Sequence, residues 1–145
     1  MKFWATLMVV TSGLFTGGVL VIAWERMPVW RALPLPQFRT DFATTIRIAD
    51  RVQPALLLAT ILATVGFGVS GNGVARAFAF VGAAGFIVTL VASVAVLVPL
   101  QRRIIASGEE ASALEAMRHR WFLGHLGRSA LSLASFLLVA IAVAV

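Results

Sequence analysis

Four long stretches of this chain contain no charged residue. They cover residues 3–24, 52–75, 77–101 and 129–145 and are 22, 24, 25 and 17 residues long. A helix needs about 20 residues to cross hydrocarbon about 30 Å thick. In lipid a helix satisfies its own backbone polar groups, whereas an isolated strand cannot. The sequence therefore predicts an all-α integral membrane four-helix bundle, with residues 1–145 forming a single membrane domain.

The composition and the turn signals divide the chain further. Of its residues 60% are hydrophobic and 12% are charged, against roughly 25% charged in soluble domains. The predicted spans are residues 3–24, 53–71, 76–100 and 122–145. Cytoplasmic loops are predicted at residues 25–52 and 101–121, and a tight turn is predicted at Gly71-Asn72-Gly73.

Each of the two long loops carries the pattern of a short interfacial helix. In the first loop, Phe38, Phe42 and Ile46 recur at helical spacing between charged residues, which is typical of an amphipathic helix in the membrane interface. In the third loop, Ser107 and Glu110 fit a capping box that would open a second such helix.

The cations are distributed unevenly between the two sides of the predicted bundle. One side has only Lys2 and Arg76. The first and third loops with their flanks have ten, namely Arg26, Arg31, Arg39, Arg47, Arg51, Arg102, Arg103, Arg118, Arg120 and Arg128. This asymmetry predicts a multi-pass protein of the inner (cytoplasmic) membrane with both termini outside the cytoplasm. The net charge of +6 is then explained by topology and by anionic lipid, and no nucleic-acid partner is expected.

Several chemistries are disfavoured by the residues present. The chain has no cysteine and two histidines, and the histidines are six residues apart, so they do not share a helix face. No phosphate-binding loop, nucleotide fingerprint or Ser-His-Asp set is present. Neither a metal nor another cofactor is therefore expected.

One stripe of residues indicates a polar site. Its members are spaced by four, three, four and three, which keeps them on one helix face: Trp121, His125, Arg128, Ser132 and Ser135. The charge-free tail after Arg128 is 17 residues, about 25 Å of helix, so Arg128 should lie just beneath the interface. There it would either anchor to lipid phosphate or face a polar interior. The sequence leaves both interpretations open.

The other helices bring polar groups to the same end of the bundle. Glu25 ends span 1, Gln53 begins span 2, and Gln101 and Arg102 end span 3. Glu25 is a candidate either to orient His125 or to form a surface ion pair.

The residues at the end of span 3 and at the start of span 4 resemble the sequence pattern of a known family. The segments are Val98–Arg102 and Arg120–Leu131, and Arg51–Pro54 and the glycine-rich first span also fit. They are similar to the anthrone oxygenase-like family of small four-helix membrane proteins. Its members tend to have Pro-x-Asn at the end of span 3. At the start of span 4 they tend to have a Trp, which is followed by either His or Asn and then by Arg-Ser/Thr.

The resemblance implies membrane-bound oxidation of anthrones to anthraquinones, without a known metal or flavin. It implies catalytic roles for Gln101, His125 and Arg128. His125 would be the general base, and Arg128 or Gln101 would stabilise an oxyanion. Gln101 stands where the family usually has Asn, which shifts the amide by one methylene.

A lipophilic aromatic small molecule would be the substrate under this hypothesis. The resemblance implies that Trp121 stacks on its rings. Ser132, from the stripe, and Glu25, from the rim, are further candidates for substrate contact.

Two other functions remain open at this stage. Small residues on spans 1 and 3, such as Gly13, Gly17, Gly82 and Gly85, would also suit a non-catalytic subunit or scaffold that packs against membrane protein partners or a second copy. A small transporter is the third hypothesis. This hypothesis is disfavoured because no span has a charge near its middle, where the coupling residues of transporters usually lie.

Overall fold

The computed structural model describes residues 2–106, 108 and 110–145, and all regular structure in these residues is helical. There are four long helices: α1 is Lys2–Ala32, α2 is Leu35–Ser70, α3 is Gly73–Ile105 and α4 is Ala111–Ala144. Each of them is long and apolar enough to cross a membrane. The prediction of an all-α four-helix membrane bundle is confirmed, and the chain is a multi-pass membrane protein.

The helices are longer than a bilayer requires. They contain 31, 36, 33 and 34 residues, which corresponds to about 46 to 54 Å at 1.5 Å per residue, against about 30 Å of hydrocarbon. Between α2 and α3 the chain turns within Gly71 and Asn72, and Gly73 has a φ of 54°, which favours glycine. The excess length therefore projects at the opposite end, which we call the arginine-rich end.

The first loop differs from its predicted form. The sequence predicts a separate interfacial helix, but the structure continues from Leu35 into the second span as one helix, with Pro54 in its interior. Phe38, Phe42 and Ile46 are buried. They lie on the same side of the helix as the residues that are buried in its membrane-spanning part, such as Leu57 and Thr60. Their apolar face thus packs against α1 and α4 and not against lipid headgroups.

The third loop differs in the same way. α4 begins at Ala111 and runs without a break into the fourth span. Leu114 and Met117 are buried on its inner face, so this segment is part of the bundle and not a separate surface helix. Ser107, the predicted cap, lies outside the described residues.

The helices form an antiparallel ring in which α1 and α3 each pack on both α2 and α4. Small residues allow the close approach of α3 and α4. A Cβ added at Gly82 would lie 3.2 Å from the carbonyl oxygen of Ser135, and one added at Gly85 would lie 3.3 Å from the Cβ of Ser135. Gly82 and Gly85 therefore pack against α4 within the bundle, whereas a Cβ added at Gly17 would have nothing within 4 Å.

The bundle has two hydrophobic clusters. One fills the membrane half between the four helices. The other fills the arginine-rich end and is built mainly from aromatic rings, which we call the aromatic cap: Trp30, Phe38, Phe42, Trp121 and Phe122. Most of these rings meet edge to face, a favoured arrangement of aromatic pairs. The aromatic cap joins the end of α1 to the starts of α2 and α4.

Two helices contain a wider turn near the junction of the two clusters. α1 is π-helical at Ile22–Arg26 and α3 is π-helical at Ser93–Leu97. Pro28 follows the first turn and Pro99 follows the second; proline lacks a backbone N–H and clashes with the preceding turn of an α-helix. Such π-helical turns frequently occur at functional sites, and the turn in α3 contributes Ser93 and Val94 to the polar cleft described next.

Candidate functional site

A narrow cleft with a volume of about 80 Å³ lies between α2, α3 and α4. Its polar lining comes from all three helices: Asp50, Gln53, Ser93, Gln101 and Arg128. Its other walls are apolar and include Phe15 from α1. The cleft therefore combines one carboxylate, one guanidinium, two amides and one hydroxyl within a membrane helix bundle.

The cleft lies near the depth where hydrocarbon gives way to headgroups. Twenty residues of α2 separate Asp50 from Ser70 at the far end, about 30 Å of helix, which equals the usual thickness of the hydrocarbon. Pro54 and Val94, both on the rim, are exposed on the outer surface of the bundle. The cleft thus opens sideways, between α2 and α3.

Arg128 connects the groups around the cleft. Its Nη2 donates to Nδ1 of His125 at 3.1 Å and to Oε1 of Gln53 at 3.4 Å. Its Nε is buried and has no partner among the described residues. The amide of Gln53 lies over α1 at Gly18, whose added Cβ would be 3.6 Å from Nε2. Arg128 therefore faces the interior of the bundle. Of the two interpretations of its sequence position, an anchor to lipid phosphate and a group that faces a polar interior, the structure agrees with the second.

His125 is fully buried, and its two ring nitrogens are both occupied. Because a guanidinium has no acceptor, Nδ1 must accept the hydrogen bond from Arg128. Nε2 then carries the proton and donates to the carbonyl oxygen of Val19 on α1, at 3.1 Å. The imidazole is neutral in this arrangement, and it links α1 to the guanidinium of α4.

Trp121 packs directly against His125. The two rings are stacked, with centroids 4.7 Å apart and an angle of 11° between their planes. Trp121 is 1% exposed and belongs to the aromatic cap, so in this arrangement its face covers the imidazole and is not open to the cleft.

The predicted site residues therefore fall into three groups. Gln101 and Arg128 line one cleft, while His125 and Trp121 lie behind Arg128. Ser132 is buried; its hydroxyl donates to the backbone carbonyl of Arg128 at 2.8 Å and it does not line the cleft. Glu25 is exposed on α1 and does not line the cleft either.

Two residues of the cleft were not singled out from the sequence as site residues. Asp50 is one of several charged residues of the first loop, and no sequence pattern distinguishes Ser93 from the other small residues of the third span. A signal for Asp50 was present, since it is an acid next to the start of the predicted second span and lies three residues before Gln53, so the two share a helix face. An acid where a helix enters the membrane is a candidate functional residue.

Among the residues that the structure describes, no three histidine or acidic side chains lie close enough together to hold a metal ion. The polar groups of the cleft are instead two amides, one carboxylate, one guanidinium and one hydroxyl. This set suits the binding of a polar oxygen and the transfer of a proton.

Comparison with known proteins identifies a matching family model. A family model described as anthrone oxygenase matches residues 42–138, a range that includes every polar residue of the cleft. A search of the curated proteins and a search of the solved structures each find no match. Since the matched range covers most of the chain, the protein belongs to the anthrone oxygenase family.

Proposed function

We propose that this protein oxidises a lipophilic aromatic substrate of the anthrone type with molecular oxygen, at the cleft lined by Arg128. The observation that carries the proposal is a buried guanidinium held by Gln53 and His125 in a cleft that also contains Gln101. Family membership supports the substrate class.

The reaction needs a site that stabilises negative charge on oxygen. An anthrone has a CH₂ group between two aromatic rings and opposite a carbonyl, and loss of one proton leaves an enolate with its charge on the carbonyl oxygen. Arg128 supplies a fixed positive charge for this oxygen, and Gln101 supplies an amide N–H. Donors of this kind, already oriented in a site that excludes water, usually contribute the largest share of catalysis.

The enolate is electron-rich and reduces oxygen directly, so the proposed reaction needs no resident cofactor. Overall, one CH₂ group and one O₂ give one C=O group and one water. The carbon loses four electrons and two protons, and the two oxygen atoms gain them.

His125 has a positioning role in this proposal. Its Nδ1 lone pair is committed to Arg128 and its Nε2 proton to Val19, so it holds the guanidinium in place and does not touch the substrate. This assignment differs from the general-base role that the family resemblance implied.

The shape of the cleft favours a substrate that arrives through the lipid. A volume of about 80 Å³ is well below the roughly 300–1,000 Å³ of ordinary ligand pockets. We therefore expect only the reactive edge of the ring system to enter between α2 and α3, while the rest stays against the apolar walls and the bilayer. The ten cations on this side favour a cytoplasmic location for the arginine-rich end.

The proposal is tested with purified protein in lipid nanodiscs and anthrone as the substrate. Oxygen uptake and anthraquinone absorbance are recorded together, and empty nanodiscs give the rate of spontaneous oxidation. Arg128→Gln should lower the protein-dependent rate by about 10² to 10³-fold, the usual effect of losing an oxyanion donor. Arg120→Gln is the matched control, since Arg120 is exposed on the same helix and does not line the cleft.

Two results would count against the proposal. A wild-type rate equal to that of empty nanodiscs would show that the protein does not catalyse anthrone oxidation. Equal rates for the folded Arg128→Gln protein and wild type would show that the reaction does not take place in the cleft lined by Arg128.

A further inference from the structure

We infer that Asp50 is the group that removes the proton from the substrate, an inference that rests on the proposed function. It is the acidic residue of the cleft, on the same lining as Arg128 and Gln101. The proposed reaction needs two opposite partners within one small space: an acceptor for a proton from carbon and a cation for the charge that moves to oxygen. Asp50 and Arg128 supply these two partners.

The surroundings of Asp50 leave its carboxylate available. No described residue donates a hydrogen bond to it, although the charges of Arg128 on α4 and Arg102 on α3 both act on it. It is exposed at the side where the cleft opens, so it lies on the path of a substrate that enters from the bilayer. A general base must come within hydrogen-bond reach of the proton it takes, and this position allows that.

His125 cannot take this role in the arrangement described. One ring nitrogen accepts from Arg128 and the other donates to Val19, so no lone pair is free. The ring is also 0% exposed. For His125 to accept a proton from a substrate, Arg128 would first have to leave it, and the oxyanion would then lose its partner.

One carboxylate can carry both proton transfers of the reaction. Asp50 first takes a proton from the CH₂ carbon, and the electron pair moves to the carbonyl oxygen. The enolate carbon then bonds to O₂, and the neutral Asp50 returns its proton to the terminal oxygen, which gives a hydroperoxide. Asp50 next takes the second proton from the same carbon while the O–O bond breaks. The carbon keeps one oxygen as a carbonyl, and the leaving hydroxide takes the proton from Asp50 to form water.

The test compares Asp50→Asn with wild type in nanodiscs, with anthrone carrying either hydrogen or deuterium at the CH₂ carbon. Asparagine has nearly the same shape and cannot accept the proton. We expect kcat to fall by at least about 100-fold, since general-base catalysis contributes about 10² to 10⁴-fold. KM should change much less, and the deuterium isotope effect on kcat should rise because proton removal becomes the slow step. Asp50→Glu should restore part of kcat.

Two further variants separate a base from a mere counter-ion. Arg102→Gln removes one cation that acts on Asp50 without changing the cleft lining. If Asp50 only balanced charge, adding Arg102→Gln to Asp50→Asn would restore the charge balance and recover kcat, and the isotope effect would not change; if Asp50 is the base, the double variant stays as slow as Asp50→Asn. Asp41→Asn makes the same substitution on the same helix outside the cleft, where Asp41 binds Trp30 and Arg26, and it should leave kcat unchanged.

The outcomes distinguish this inference from the proposed function. If wild type oxidises anthrone and Asp50→Asn does so at the same kcat with the same isotope effect, Asp50 is not the base and the proposed function stands. If wild type shows no oxidation above empty nanodiscs, both fail.

Discussion

Replacing His125 with three different side chains distinguishes a positioning role from a base. The imidazole makes two hydrogen bonds, one from Arg128 to Nδ1 and one from Nε2 to the carbonyl of Val19. An asparagine oxygen can take the place of Nδ1, whereas a glutamine amide nitrogen can take the place of Nε2. Alanine keeps neither bond.

The cost of the alanine substitution can be worked from these contacts. Side-chain hydrogen bonds between membrane helices contribute about 0.6 kcal/mol on average and at most about 1.7 kcal/mol. The stack on Trp121 adds about 0.5–1.5 kcal/mol, and the lost burial of the ring adds about 1 kcal/mol. His125→Ala should therefore lower the free energy of unfolding by about 3 kcal/mol, and His125→Asn and His125→Gln should lower it less.

The assay has two parts, unfolding by SDS titration and anthrone oxidation in nanodiscs. If His125 holds Arg128, His125→Asn should keep activity within about tenfold of wild type, because the contact to the guanidinium remains. His125→Gln and His125→Ala should lose most of it. His119→Ala is the control, since His119 is exposed on the same helix and should change neither measurement.

The opposite pattern would refute the reasoning. An amide is not a base, so a catalytic His125 would make all three variants equally inactive, including a stable His125→Asn protein. That result would assign the proton transfer to His125 and would require Arg128 to move during turnover.

Three further predictions follow from the packing and the topology. Gly82→Ala should lower the free energy of unfolding by about 1–3 kcal/mol, because the new Cβ would lie 3.2 Å from a carbonyl oxygen of α4, whereas Gly127→Ala, with nothing within 4 Å of its Cβ, should be neutral or stabilising in the same SDS titration. Val94→Trp, at the exposed rim of the cleft, should raise the KM for anthrone without lowering the unfolding midpoint; an unchanged KM would contradict entry between α2 and α3. The chain has no cysteine, so single cysteines at the exposed positions Thr44 and Asn72 can be labelled in intact cells with an impermeant reagent. Asn72→Cys should react and Thr44→Cys should not, and the reverse result would invert the proposed orientation.

Much of the site was visible in the sequence as a one-helix pattern. The spacing of Trp121, His125, Arg128 and Ser132 predicted a shared helix face, and the structure places Trp121 on His125 and His125 on Arg128. The short charge-free tail indicated that Arg128 enters the hydrocarbon. Neither pattern gave the roles of these residues, because a role depends on which groups the other helices bring.

The sequence by itself determined the four crossings, the tight turn at one end and the concentration of arginines at the other, because hydropathy and helical period are properties of consecutive residues. Only the tertiary structure decided that Asp50, Gln101 and Arg128 face one cleft and that both ring nitrogens of His125 are occupied. It also decided that the predicted loop helices continue the spans. The physical reason is that the rotation and height of each helix are set by contacts distant in sequence, such as Gly82 against Ser135 and the rings of the aromatic cap.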